Sequence, residues 1–236
     1  MYSYEKRIAA SDVDETARQT LVSTVTLMQD CSLFSLDATP VFRDYLNDNN
    51  IAMMVVSRQL DILRRPAYGE TVRVMTSIYG FKGFLGYRNT VVFDAQGEMV
   101  AKCYAVGAFV ELDTGKLVKI PAEVTGTIPF ADKIDMEYLP RKIAIPGCEP
   151  ARLDPIPVAH NDIDLYRHMN NAQYVRVAFE LLPEGAPCAR MRVEHKAQAR
   201  LGQSLYPLVY SADAGTSTCI VLADEAGEPY SVVEFS

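Results

Sequence analysis

Two pairs of segments far apart in the chain read alike and in the same order, and this restricts the fold more than any other feature. Asp12-Val13-Asp14 matches Asp162-Ile163-Asp164 at an offset of 150. Leu60-Asp61 matches Val193-Glu194 at an offset of 133, and so does Tyr68-Gly69-Glu70-Thr71-Val72 against Leu201-Gly202-Gln203-Ser204-Leu205. An ordered pair of matches indicates an internal duplication. The offsets differ by about 17 residues, which the first half inserts between its helix and its strands.

The pattern within each half supports this reading. In the first, Asp14, Glu15 and Thr16 suit a capped helix start. Leu21, Val25, Met28, Leu33 and Leu36 then recur at helical spacing. A short helix over residues 41–47 and the turn Asn47-Asp48-Asn49-Asn50 fill the insertion. Strands are predicted over 52–63, 71–79, 87–94 and 99–111, with a short one at 117–120 and a glycine-punctuated connection over 80–86. In the second half a helix is predicted over 170–182, with strands over 191–199, 205–212, 218–224 and 230–235. Turns fall at Leu201-Gly202, Ala214-Gly215 and Glu225-Ala226-Gly227. Between the halves, residues 121–157 hold seven of the 13 prolines, which deny donors to a sheet interior and mark a crossing linker. The expected class is α+β: two tandem repeats, each a long helix packed on a curved antiparallel sheet, with the sheets joined edge to edge. The divisions are 1–128, a linker over 129–157, and 158–236.

Composition narrows the function. Lys+Arg 23 against Asp+Glu 30 gives a net charge of -7, the wrong sign for a nucleic-acid footprint. At 49% hydrophobic residues the chain can bury a core. No apolar run is long enough to span a bilayer. Tyr2, Tyr4, Glu5, Lys6 and Arg7 lack an apolar signal core, pointing to a cytoplasmic protein. Five scattered cysteines without a C-x-x-C pair read as reduced thiols, and three histidines without metal spacing argue against zinc. Gly80, Gly83 and Gly86 lack the Lys and Ser/Thr of a phosphate loop. His160 reads as a linker residue and His195 as a structural strand residue.

The chemistry concentrates in residues 162–174: Asp162, Asp164, Tyr166, His168, Asn170, Asn171 and Tyr174. Helix capping explains the aspartates, with Asp164 as N-cap, but does not require His168, Asn170 and Asn171 together. In the first copy the register reads Arg18, Thr20 and Leu21 at those three positions. Chemistry is therefore expected in the second half alone.

This stretch resembles the signature of the acyl-acyl-carrier-protein thioesterases, D-x-D-x-N-x-H-x-N-N-x-x-Y. The resemblance continues in Val56-Ser57-Arg58-Gln59-Leu60, Arg64-Arg65-Pro66-Ala67-Tyr68-Gly69-Glu70, Val106 to Val110 and Lys119-Ile120-Pro121-Ala122-Glu123-Val124. It implies a double hot-dog fold and hydrolysis of acyl-carrier-protein thioesters to free fatty acids, without a cofactor. An acyl-coenzyme A hydrolase and a non-catalytic acyl-thioester-binding protein are the alternatives. The implied catalytic residues are Asp164, His168 and Asn170, with Tyr166 where the family has Asn and Gln198 where it has Glu; Ala199 takes the place of a neighbouring cysteine. Asn171, Tyr174, Arg64 and Arg65 are expected at the substrate. The implied partner is an acyl carrier protein bearing a phosphopantetheine-linked chain, docked on a basic rim drawn from Arg64, Arg65, Lys196, Arg200, Lys82 and Arg88. The chain is expected to be a monomer or homodimer.

Overall fold

A computed structural model describes residues 1–211 and 216–236. The expected turn at Ala214-Gly215 and the end of the strand at Ala212 lie outside the described residues. The chain divides into two compact units, residues 1–56 with 60–138 and residues 57–59 with 139–236.

The first unit opens with β1 (Tyr2–Arg7), a strand beyond those expected from the sequence, whose residues alternate between half-buried and exposed. A 3-10 turn and an irregular loop lead to α1 (Leu21–Phe34). Leu21, Thr24, Val25, Leu27, Met28 and Cys31 are its buried face, at helical spacing. Then follow α2 (Pro40–Asp48), β2 (Ile51–Ile62), β3 (Thr71–Lys82), β4 (Leu85–Phe93), β5 (Met99–Glu111) and the single turn α3 (Ala122–Thr125). The sheet order is β1-β3-β4-β5-β2, with β1, β3, β4 and β5 antiparallel in sequence of pairing. On β3, Val72, Val74, Thr76 and Ile78 are buried while Arg73, Met75 and Ser77 are not, the alternation expected of a sheet with one helix-covered face. The 80–86 connection is shorter than expected. The strands run to Lys82↔Leu85, leaving Gly83-Phe84 as a two-residue hairpin loop, and Gly83 at φ 63° supplies the positive φ such a loop needs. The short strand expected at 117–120 is a single bridge, Val110↔Leu117.

The second unit holds β6 (Ala151–Arg152), β7 (Ile156–Pro157), α4 (Asn171–Glu180), β8 (Arg190–His195), β9 (Ser204–Ser211), β10 (Thr218–Ala223) and β11 (Pro229–Phe235). Its sheet order is β8-β11-β10-β9-β6, with β7 also on β9. The proline-rich segment is more than a crossing. Its two short strands pair with β9, and Ile143, 2% exposed, joins a core cluster with Cys219, Val221, Ala223 and Val232. β8 ends four residues earlier than expected, because the chain turns away from the sheet to tie Ala199 to the loop before α4.

The duplication is visible bond by bond. Asp12 Oδ2 accepts the Ala9 N–H at 2.9 Å and Asp162 Oδ2 the Ala159 N–H at 2.9 Å. Asp14 N–H donates to Arg18 O and Asp164 N–H to His168 O; Thr20 N–H donates to Asp12 O and Asn170 N–H to Asp162 O. Ala67 N–H donates to Glu70 Oε1 at 2.8 Å, and Arg200 N–H to Gln203 Oε1 at 2.7 Å. Even the left-handed residues recur, Ala17 at φ 56° and Arg167 at φ 64°. That strain belongs to the loop common to both repeats, not to chemistry in one of them.

His195, the last residue of β8, is half-buried and stands edge-on to Tyr174 with ring centroids 5.5 Å apart. Burial, helped by the Arg58 charge, pushes its pKa down to about 3, against about 6.5 in an unfolded chain. Between those values the unfolded chain binds a proton that the folded one refuses, so stability falls as pH drops through this window. His195→Gln is expected to flatten that part of the stability-pH curve, measured by urea denaturation between pH 7 and pH 4.

Candidate active site in the second repeat

The motif lies on an irregular loop closed by the bridge Ile163↔Met169, which delivers it to the N-terminus of α4. The expected cap is corrected here. Asn170 is the N-cap of α4, its Oδ1 accepting the Ala172 N–H at 2.9 Å, and Thr20 is that of α1, accepting from Ser23 at 3.1 Å. The aspartates sit earlier and shape the loop. Asp162 is buried, and Arg176 pairs with it at 2.9 Å. Asp164 accepts the Tyr166 N–H on Oδ1 at 2.9 Å and makes no ion pair among the described residues. An aspartate binding a backbone N–H two residues on forms a tight local turn without a helix.

His168 is half-buried, and its ring makes no hydrogen bond among the described residues. Asn171 is the first residue of α4, and its N–H, likewise without a protein acceptor there, sits at the positive end of the helix dipole. Tyr166 is 52% exposed, which removes the alternative of a core tyrosine.

Gln198 is exposed and lies in the irregular segment after β8, not on a strand. Its neighbour Ala199 is held twice: its carbonyl accepts the Met169 N–H at 2.9 Å, and its N–H donates to the Tyr174 hydroxyl at 2.7 Å. Gln198 and His168 are thus each one residue from a hydrogen-bonded pair. Glu194, a fallback carboxylate on β8, is occupied elsewhere, accepting the Ile143 N–H at 3.1 Å. Tyr174, expected at the substrate, is 1% exposed and serves as the tie between α4 and the Ala199 segment. Burial pushes its phenol up to about 12, so it stays neutral. Tyr174→Phe strands the buried Ala199 N–H. A loss of about 1–3 kcal/mol is expected, read as a Tm lowered by several degrees in calorimetry; an unchanged Tm would mean the tie is not stabilising.

The first repeat shows how such a site is closed. Asp14 Oδ1 accepts from Thr16 N–H at 2.9 Å and Thr16 Oγ1 at 2.6 Å, and Asp14 Oδ2 is paired with the Arg65 guanidinium. Arg65, with the Thr16 bonds, holds the Asp14 carboxyl well below the usual range. Arg64 is also engaged, bonded to Glu70 at 3.1 Å and Asp94 at 2.9 Å. Both arginines expected at the substrate are thus bonded to carboxylates of their own repeat. Arg88, expected on a basic rim, is buried at 7% exposure. The offset of 133 that relates the strands pairs Arg65 with Gln198. The residue that pins the first aspartate is therefore an uncharged amide at the second. That signal was present in the sequence, but it acquires meaning only once Arg65 is seen on Asp14.

Each unit is a helix against an antiparallel sheet, and the pair of repeats defines the two-repeat hot-dog class of protein. Family models for the acyl-ACP thioesterase N-terminal domain and C-terminal domain match residues 1–128 and 149–227. The chain belongs to the acyl-ACP thioesterase family. It is 28% identical over 147 residues to a chloroplastic dodecanoyl-[acyl-carrier-protein] hydrolase of Cinnamomum camphora, an alignment spanning 59% of this chain and 38% of that protein. It is 25% identical over 188 residues to a chloroplastic palmitoyl-acyl carrier protein thioesterase of Gossypium hirsutum, spanning 72% and 44%. The chain thus covers under half the length of these relatives. Among solved structures, an acyl-ACP thioesterase from Bacteroides thetaiotaomicron is similar at TM-score 0.87 and 17% identity, covering 99% of this chain and 96% of that one. The 12:0-ACP thioesterase from Umbellularia californica gives 0.85 and 19%, covering 100% and 96%.

Proposed function

We propose that this chain is a thioester hydrolase that releases free fatty acid from an acyl group carried on acyl carrier protein. The observation that carries the reading is the contrast between its two aspartates: Asp14 is ion-paired to Arg65, whereas Asp164 has no ion pair among the described residues and stands in one loop with an unbonded imidazole. The names of its relatives supply the substrate class.

In this reading the thioester carbonyl oxygen takes the Asn171 N–H at the helix start, which stabilises the oxyanion as it forms. Water attacks the carbonyl carbon and gives its proton to the free Asp164 oxygen. The C–S bond breaks, and the proton taken up by Asp164 passes through His168 to the departing thiolate, so the thiol leaves and both side chains return to their starting states. Asn170 caps α4 and so fixes where its first N–H points. Gln198, an amide, contributes hydrogen bonds but no proton transfer at neutral pH.

The test is release of free thiol from acyl carrier thioesters of several chain lengths, run beside the matching coenzyme A thioesters. Turnover of the carrier substrates, lost in His168→Ala and kept in Arg18→Ala, is the expected result. Binding without thiol release would replace the hydrolase with an acyl-binding protein, and preference for coenzyme A would replace the carrier. Loss in Arg18→Ala with a folded protein would move the site to the first repeat.

A further inference from the structure

Arg88 is a buried cation without a counter-charge among the described residues. It projects from β4 beneath the C-terminal end of α1, 7% exposed. Its Nη1 donates to Ser35 Oγ at 2.8 Å and Thr76 Oγ1 at 3.1 Å, both neutral hydroxyls. The Nε is sealed from solvent and has no acceptor, and no carboxylate pairs with the guanidinium among the described residues. The acidic group that acts on its charge is the Cys31 thiol, which burial pushes up to about 12 and so keeps neutral. Burial in turn lowers Arg88 itself to about 10, still leaving it charged at neutral pH. Ser35 is the C-cap of α1, so the negative end of the helix dipole offsets part of the charge, about half a unit at most. Buried ions are ordinarily paired, because desolvation costs several kcal/mol per ion.

A cavity of about 120 Å³ opens on this arginine, lined by Tyr2, Ser35, Thr39, Thr76, Arg88 and Ile128 among others. A liquid water occupies about 30 Å³, so the space holds a carboxylate-sized group. We infer that the first repeat contains a carboxylate-binding site in which Arg88 is the cation. With Nη1 committed and Nε sealed, Nη2 is the donor left for a ligand, and the single positive charge is matched by one monoanion better than by a multiply charged phosphate. The carboxylate comes either from a small free acid or from the head group of a fatty acid. The inference is independent of the chemistry assigned to the second repeat.

The test is titration of the full chain with acetate, octanoate and inorganic phosphate, following the Arg88 Nε–H resonance by NMR. A saturable shift with the carboxylates is expected, and its loss in Arg88→Met. Octanoate binding at least tenfold tighter than acetate identifies a fatty-acid head group; equal affinities identify a small free acid. Ser35→Asp keeps the arginine and supplies a carboxylate from within, so it should abolish the titration while leaving the resonance in place. It decides the matter should Arg88→Met fail to fold. No saturable shift with either carboxylate, a response to phosphate alone, or an unchanged titration in Ser35→Asp would overturn the site.

Discussion

Asp164→Asn is expected to lower turnover of an acyl thioester by about two orders of magnitude or more, the scale on which a positioned general base acts. The substitution is chosen to leave the loop intact. Asp164 Oδ1 accepts the Tyr166 N–H, and an asparagine oxygen can accept the same bond. The N-cap of α4 is Asn170, so helix stability is not at stake. Tm should therefore stay within a degree or two while the rate collapses. A fall in rate matched by a large fall in Tm would make Asp164 a folding residue. Retained turnover would exclude it as the base and leave His168 to carry the proton.

Gln198→Arg is expected to inactivate the second site by the device already present in the first. The offset of 133 places residue 198 where the first repeat has Arg65, whose guanidinium holds Asp14. An arginine at 198 should hold Asp164 likewise, occupying its free oxygen and lowering its basicity. A rate loss of about tenfold to a hundredfold is expected, within the range of a disabled general base. Its companion, Gln198→Glu, puts a second carboxylate beside the first and should add or shift a limb of the pH-rate profile. Steady-state thiol release from pH 5 to pH 9 reads both. Should neither substitution alter rate or profile, residue 198 points away from the reacting atoms.

Much of the architecture was legible because the apolar pattern carries it. Val72, Val74 and Thr76 alternate in sequence and in burial alike. The bounds of β5 at Met99 and Glu111 coincide with the expected ones. The duplication was readable from two offsets, and the same offsets relate hydrogen bonds across the repeats. The sequence also located the loop with His168, Asn170 and Asn171 in one copy only, since a side chain's absence needs no coordinates.

What only the tertiary structure decided was which polar groups are already spoken for. Asp12, Asp14, Asp162 and Asp164 look equivalent in sequence, yet they are paired to Lys6, Arg65, Arg176 and, for Asp164, to no cation among the described residues. The pairing arginine of Asp14 lies 51 positions away along the chain. Arg64, Arg65 and Arg88 all read as surface cations, but two are consumed by carboxylates and the third is buried. Tyr174 has the spacing of a site residue and the burial of a core one. A sequence lists donors, acceptors and charges in order, whereas their availability depends on long-range partners and on exclusion of water, which exist only once the chain has closed on itself.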